Sequence, residues 1–202
     1  MLETSLYNRV LNADFQKIFA NKGYAFFTKG EYNLNIIGVR HKGKNITNHF
    51  DDFIVVIYNT NTEKNIKKIF PATTLPGKKA MNAPSNYKGT AILVPGQYRG
   101  AYAIRAHRGK YNALCQNKSL PVYRDNDKDN EYDFNPVTID NGVFGINIHK
   151  AGENSLNVDG WSYGCTVFQK SIDFNTFMRL VNLSARLYGN KFTYTLINEE
   201  DL

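Results

Sequence analysis

The sequence has little cysteine and no long apolar run. Its two cysteines, Cys115 and Cys165, could form one bridge at most, so a disulfide framework is excluded. No window approaches the ~18 consecutive apolar residues of a membrane span. The N-terminus also lacks the basic start and apolar core of a secretory signal. The sequence therefore predicts neither a signal peptide nor a membrane-spanning helix.

Acidic side chains are missing from one long segment. Residues 64–110 carry ten Lys or Arg and no Asp or Glu, in a chain of net charge +7. Such a basic segment can face nucleic acid, anionic lipid or a carboxylate-rich polymer, or it can simply face water. Hydrophobic content of 42% and charged content of 21% are ordinary for a globular protein, so wholesale disorder is not expected.

The spacing of apolar residues predicts a mainly β protein with a helix near each end. Apolar residues recur at helical spacing over 6–19 and over 174–188, where Gly189 marks the stop. Short runs rich in β-branched and aromatic residues lie between and after them. These strand-like runs are 32–39, 53–58, 90–94, 101–107, 143–149, 165–168 and 192–197. We expect a helix-plus-strand extension over 1–60 and a main domain with a C-terminal helix over 61–202.

The clearest functional signal lies in residues 142–168, GVFGINIHKAGENSLNVDGWSYGCTVF. A strand-like run ends at His149, a polar loop of 15 residues follows, and Cys165 begins the next run. A cysteine attacks acyl carbon as the thiolate, so it needs an imidazole nearby to take its proton. If the two runs are neighbouring strands, His149 can be that base. The pKa of the thiol should then fall below the ~8.5 of free cysteine.

The residues just before the cysteine suit a catalytic turn. Gly164 permits a tight turn that can leave the N–H groups of Gly164 and Cys165 aimed at a developing oxyanion, and Ser162 can add a hydroxyl hydrogen bond. The structural alternative is that a cysteine beginning an apolar strand is a small buried hydrophobe, and a histidine ending one is only hydrogen-bonded. We assign Cys115, which has no histidine or glycine turn beside it, to a structural role.

The same pattern resembles a known family. His149, twelve intervening residues and then Ser162-x-Gly164-Cys165 resemble the H-x(n)-S-x-G-C signature of the L,D-transpeptidase (YkuD-like) catalytic domain. The resemblance covers about residues 65–170. Three further segments are similar to parts of that domain: IFPATTLPG (69–77), KGTAILV (88–94) and GINIH (145–149).

This resemblance implies a fold and a chemistry. The fold would be a β-sandwich catalytic domain, here with an N-terminal α+β extension and a C-terminal helix. The activity would be cofactor-free acyl transfer on peptidoglycan stem peptides, with Cys165 as nucleophile, His149 as base, and Ser162 and Gly164 around the thiol and oxyanion. Transpeptidation and hydrolysis share the acyl-enzyme, so either outcome is compatible with these residues.

One position departs from the family pattern. Arg or Asn usually stands two residues after the cysteine, where this chain has Val167. Another group must then bind the substrate carboxylate, and the candidates are Arg105, His107 and Arg108 in AYAIRAHRG. Trp161, just before the serine of the motif, is a further substrate-binding candidate. A tryptophan there is similar to family members from bacteriophages, which implies a phage lysin or a virion-associated enzyme acting at the host cell wall, in the periplasm.

Two other classes of protein remain open. A non-catalytic virion or wall-binding protein could keep the fold, use basic residues 64–110 to hold anionic polymer and have other virion proteins as partners; the missing Arg or Asn favours it. A nucleic-acid binder ranks third, supported only by tyrosines interleaved with the basic residues. The expected partners are therefore peptidoglycan stem peptides first and virion proteins second, with nucleic acid not expected.

An acidic run suggests a calcium site. Carboxylates stand at every second position, as in a loop that wraps oxygen ligands around Ca²⁺: Asp125, Asp127, Asp129, Glu131 and Asp133. The run lacks the glycine of an EF-hand loop, where Asn130 stands, and its twelfth-position glutamate, where Pro136 stands. A structural Ca²⁺ and a solvated acidic turn are the two interpretations.

Two histidines lie in a polar segment of the first part of the chain. His41 and His49 have no third ligand at the spacing of a zinc site. We therefore assign both of them to the protein surface.

Overall fold

Strands dominate the chain. The computed structural model describes the backbone of residues 2–202 and the side chains of residues 6–202. Strands take 35% of residues and helices 22%, which confirms the mainly β class. Within the described residues the helices are α1 Leu2–Asn12, α2 Phe15–Asn21, α3 Lys78–Asn82 and α4 Ser171–Tyr188. The strands are β1 Asn35–Arg40, β2 Asp52–Tyr58, β3 Ile66–Thr73, β4 Thr90–Leu93, β5 Gly96–His107, β6 Tyr111–Gln116, β7 Leu120–Asp125, β8 Asp140–Gly142, β9 Ile148–Lys150, β10 Thr166–Phe168 and β11 Phe192–Asn198.

Eight of these strands close into a barrel-like sheet. Their order is β1-β11-β5-β6-β9-β10-β3-β2, and β2 pairs back with β1. Strands β4, β7 and β8 form a separate three-stranded sheet. The β-sandwich expected from the sequence is not confirmed, because β1 and β2 fill the gap between β11 and β3. The division into 1–60 and 61–202 stays a prediction, although the first sixty residues supply two strands of the barrel.

The buried strand β2 shows how the barrel is covered on both faces. All of its residues are buried, including the inward side chains Ile54 and Val56, which lie in one core with Phe177 of α4. The outward side chain Val55 lies in a second core with Phe19 of α2. A strand covered on both sides buries apolar residues at successive positions, which explains why residues 53–58 show no polar alternation.

The helices differ from expectation at the N-terminus. The single helix expected over 6–19 is wrong, because α1 and α2 are separated at residues 13 and 14. The Asp14 side chain accepts a hydrogen bond of 3.0 Å from the Lys17 N–H and so caps α2. The stop of α4 at Gly189, which has φ of +82°, is confirmed. Among residues 2–202, we find no helix with the length and apolar character to cross a bilayer.

Candidate active site

The pairing of β9 with β10 brings the sequence-predicted cysteine and histidine to one face of the barrel. The two strands are parallel, with Val167 opposite His149, so Cys165, the residue before β10, lies beside Asn147, the residue before β9. Phe168 points inward to the core. Because successive side chains alternate between faces, Cys165 and His149 both project outward from neighbouring strands. Their Cα atoms are diagonal neighbours, roughly 8 Å apart by strand geometry.

The thiol is held by backbone groups. Cys165 Sγ accepts a hydrogen bond of 3.4 Å from the Asn147 N–H and donates one of 3.3 Å to the Gly145 carbonyl. In the described part of the chain no hydrogen bond joins this thiol to His149. Burial raises the pKa of Cys165 to about 11, against the opposing effects of the Asn147 N–H and the Arg108 charge. The lowered thiol pKa expected from the sequence is therefore wrong for this arrangement.

The histidine is set up as a neutral base. His149 is buried, and its Nδ1 lies 2.9 Å from the Lys150 carbonyl oxygen. A carbonyl only accepts hydrogen bonds, so Nδ1 carries the ring proton. Burial and the charges of His107 and Arg108 lower the pKa of His149 to about 4, so the ring is neutral at pH 7. Nε2 is then an unprotonated nitrogen able to accept a proton.

A second histidine supports the first. The rings of His107 and His149 stack, with centroids 4.3 Å apart and planes at 19°. The Asn147 side chain has a fixed orientation, because its Oδ1 accepts a hydrogen bond of 2.9 Å from the Gln116 N–H. Its Nδ2 therefore faces His107 and donates a hydrogen bond of 3.2 Å to His107 Nδ1. Burial and the Arg108 charge lower the pKa of His107 as well. Sequence reasoning missed Asn147, although its place two residues before His149 in a strand puts both on one face.

The turn before the cysteine is fixed by a buried serine and a glycine. Ser162 Oγ donates to the Cys165 carbonyl at 2.8 Å and accepts from the Gly164 N–H at 3.2 Å. Gly164 has φ of +108°, and a Cβ there would lie 2.3 Å from the Ala91 carbonyl oxygen, so glycine is required. Of the two backbone donors expected to face an oxyanion, the Gly164 N–H is thus occupied. The Cys165 N–H donates to no acceptor among the described residues.

The predicted substrate-binding residues are divided between near and distant positions. His107 lies against the candidate base, and the positive charge of Arg108 acts on both the thiol and the imidazole. Arg105, in contrast, is exposed and donates its hydrogen bond to Asn117. Trp161 keeps 44% of its surface exposed, and its ring lies close to Gly152. The structure therefore brings His107 and Arg108 to the cysteine and histidine and leaves Arg105 on the surface.

The acidic loop does not gather its carboxylates around one point. Asp125 accepts a hydrogen bond of 2.8 Å from the Asp133 N–H, and Asp127 accepts one of 3.2 Å from the Asp129 N–H. Asp129 in turn accepts 2.6 Å from the Glu131 N–H. In the part of the chain that the structure describes, no three potential ligand atoms of this loop lie within 4.8 Å of one another. The calcium site stays a prediction.

The surface assignment of His41 is wrong, because this residue belongs to a buried ion pair. His41 Nδ1 lies 2.8 Å from Asp52 Oδ1 and 3.3 Å from Asp51 Oδ1. Asp52 Oδ2 also accepts from the N–H and hydroxyl of Thr74, at 2.6 and 2.7 Å. Burial opposes a charged ring, but the two carboxylates raise the pKa of His41 to about 9. His49 is exposed, as expected.

Comparisons with protein-family models, with curated proteins and with solved structures gave no match for this chain. The chemistry open to the site therefore follows from its own geometry and from the pattern of its sequence.

The raised thiol pKa has a measurable result. We expect the rate of Cys165 alkylation by iodoacetamide to keep rising as the pH increases through 9, because burial raises the pKa of this thiol to about 11. The thiolate fraction rises roughly tenfold per pH unit below that pKa. Peptide mass spectrometry after timed alkylation separates this signal from that of buried Cys115. A labelling rate that is already at its plateau at pH 7 would contradict a neutral resting pair.

Proposed function

We propose that the protein is an L,D-transpeptidase-like enzyme that processes peptidoglycan stem peptides by acyl transfer through Cys165. The observation that supports it most strongly is the shared outer face of Cys165 and His149 on two paired strands. The Lys150 carbonyl adds to this, since by holding Nδ1–H it leaves Nε2 of His149 ready to take the thiol proton. A neutral thiol beside a neutral imidazole suits general-base catalysis, in which the proton moves as the sulfur attacks.

The proposed first half-reaction uses each of these groups. Rotation of the thiol away from the Gly145 carbonyl lets Sγ pass its proton to His149 Nε2 and bond to the amide carbon. The carbonyl oxygen becomes an oxyanion, which the free Cys165 N–H can stabilise. The imidazolium then gives its proton to the amide nitrogen, the carbon–nitrogen bond breaks, and an amine leaves. A thioester on Cys165 remains.

The second half-reaction depends on the acceptor. An incoming amine gives a new cross-link and water gives a free carboxylate, and in both cases His149 takes a proton from the acceptor and returns it to the sulfur. The positive charge of Arg108, together with His107, is the nearest candidate for binding a substrate carboxylate. A phage lysin or virion-associated enzyme would use water, because its task is to open the wall.

A second candidate function is a non-catalytic wall-binding or virion protein. It is favoured by the thiol itself, which bonds to backbone groups and has its pKa raised by burial to about 11. In that case the basic segment 64–110 would hold the anionic polymer without any turnover.

Trapping the acyl-enzyme tests the proposed function directly. We expect brief incubation with purified muropeptides to add the mass of an acyl group to the tryptic peptide that contains Cys165. Reaction in ¹⁸O-water should label the released carboxylate if water is the acceptor. Cys115→Ala is the matched control and should still form the adduct, because that thiol lies buried on β6. No adduct on Cys165, with muropeptides retained by the protein, would favour the wall-binding alternative.

A further inference from the structure

A cavity lies apart from the cysteine, where β1 and β11 end. It has a volume of about 340 Å³. Its basic lining side chains are Arg40, His41, Lys42 and Lys44. Its apolar and aromatic lining side chains are Pro95, Tyr123 and Phe134. One carboxylate, Glu200, also lines it, so cationic side chains outnumber acidic ones four to one.

The buried guanidinium of Arg40, which lines this cavity, has one donor nitrogen without an acceptor among the described residues. Arg40 is only 3% exposed; its Nε donates to Thr74 Oγ1 and its Nη2 to the Thr74 carbonyl, each at 3.0 Å. Nη1 is buried and has no acceptor among the described residues. Burying such a donor is costly, and native proteins nearly always satisfy one. An acceptor from outside the chain would remove that cost.

The neighbouring carboxylate cannot supply the missing acceptor. The nearest buried acid, Asp52, is already committed through both oxygens, because Oδ1 accepts from His41 and Oδ2 from Thr74. Apolar walls meanwhile favour a ligand with an apolar body, since inorganic anions gain nothing from them. The Phe134 ring, 5.7 Å from the guanidinium carbon of Arg40, places such a wall beside the charge.

We infer that this cavity binds a small organic carboxylate. Its oxyanion meets Arg40 Nη1 with the support of Lys42 and Lys44, and its apolar body lies against Tyr123 and Phe134. The inference goes beyond the proposed function, since none of these residues takes part in the chemistry of the cysteine. Binding to a Cys165→Ala variant should therefore equal binding to the parent protein.

Benzoate is a suitable probe, with benzamide as its uncharged equivalent of the same shape. Isothermal titration of the whole chain at pH 7 should show one benzoate site of roughly millimolar affinity. Benzamide should not bind measurably, because it brings no charge to the guanidinium. Inorganic phosphate should bind more weakly than benzoate, because it cannot use the apolar wall. Equal binding of benzoate and benzamide, or of benzoate and phosphate, would overturn the inference.

Two sets of variants locate the site. Lys42→Gln combined with Lys44→Gln should weaken benzoate binding by about fivefold or more, because exposed cations near the anion are removed. Lys191→Gln is the matched control: it stands at the far end of β11 from Asn198 and should leave the affinity unchanged. Arg40→Lys keeps the charge but not the planar donors, and a folded Arg40→Lys protein should bind less. If that protein does not fold, the double lysine variant decides, and unchanged affinity there would overturn the assignment.

Discussion

Replacing Cys165 with alanine is expected to lower peptidoglycan turnover by about a thousandfold or more, because the variant has no atom to carry the acyl group. Residual turnover would come from substrate binding and from the Cys165 backbone N–H, which the substitution keeps. Alanine fills the site with a smaller side chain, so the fold should persist. Muropeptide release, measured by chromatography of digested cell walls, gives the rate, and circular dichroism checks the fold.

Variants of His149 and of Cys115 are the controls for this experiment. His149→Ala should reduce turnover by a similar factor, since a nucleophile and its base act as a unit and their losses do not add. Cys115→Ala should retain activity per folded molecule. Undiminished release by the Cys165→Ala protein would remove the cysteine from the mechanism. A parent protein that binds walls but releases nothing would support the non-catalytic alternative.

The pairing of His41 with Asp52 should make stability fall as the pH rises. Folding raises the pKa of His41 from 6.5 to about 9, so its contribution is complete below pH 6.5 and is lost as the pH passes 9. A shift of that size corresponds to about 3 kcal/mol of unfolding free energy. Urea unfolding at several pH values between 6 and 8.5 measures it, below the pH at which the unfolded-state cysteines ionise. In the His41→Gln variant this loss should be absent, and unfolding at pH 6 should require about 3 kcal/mol less.

His49→Gln supplies the matched control for that experiment. His49 is exposed and belongs to the same polar segment of the chain. Its replacement should leave the pH profile of the parent protein unchanged. A parent profile that is flat between pH 6 and 8.5 would show that His41 is not charged in the folded protein.

The sequence predicts the pair at the site because its signals are local. His149 ends an apolar run, Cys165 begins another, and two short runs joined by a loop are often neighbours in a sheet. The ionisation of the pair was not predictable in this way. The low dielectric around Cys165 comes in part from Phe50, which is remote from it in sequence and packs in the same cluster. Burial of this kind depends on tertiary contacts, and these reverse the expected direction of the thiol pKa.

The buried ion pair of the first segment shows a similar limit. His41 stands among polar residues, so its neighbours in sequence indicate a surface position. A usable signal was the acidic pair Asp51-Asp52 directly before the apolar residues 53–58, because a carboxylate at the start of a fully buried strand needs a partner. The partner's identity depends on the antiparallel pairing of β1 with β2.

The closure of the barrel was even harder to predict from the sequence. Strand β1 pairs in parallel with β11, so that Ile36 lies opposite Tyr194. The apolar pattern of β1 shows that it is buried but not which strand buries it, because any strand of similar pattern would serve.

The pairing of β1 with β11 also affects folding during synthesis. As the chain leaves the ribosome, β1 emerges well before its partner β11, because most of the other strands lie between them in the sequence. One side of β1 stays unpaired during that interval. An apolar strand with an open edge can pair with other chains. Pairing over so long a stretch of sequence also raises the contact order, which slows folding. In the folded molecule, helices α1 and α2 cover the outer face of β1, while β11 protects its edge.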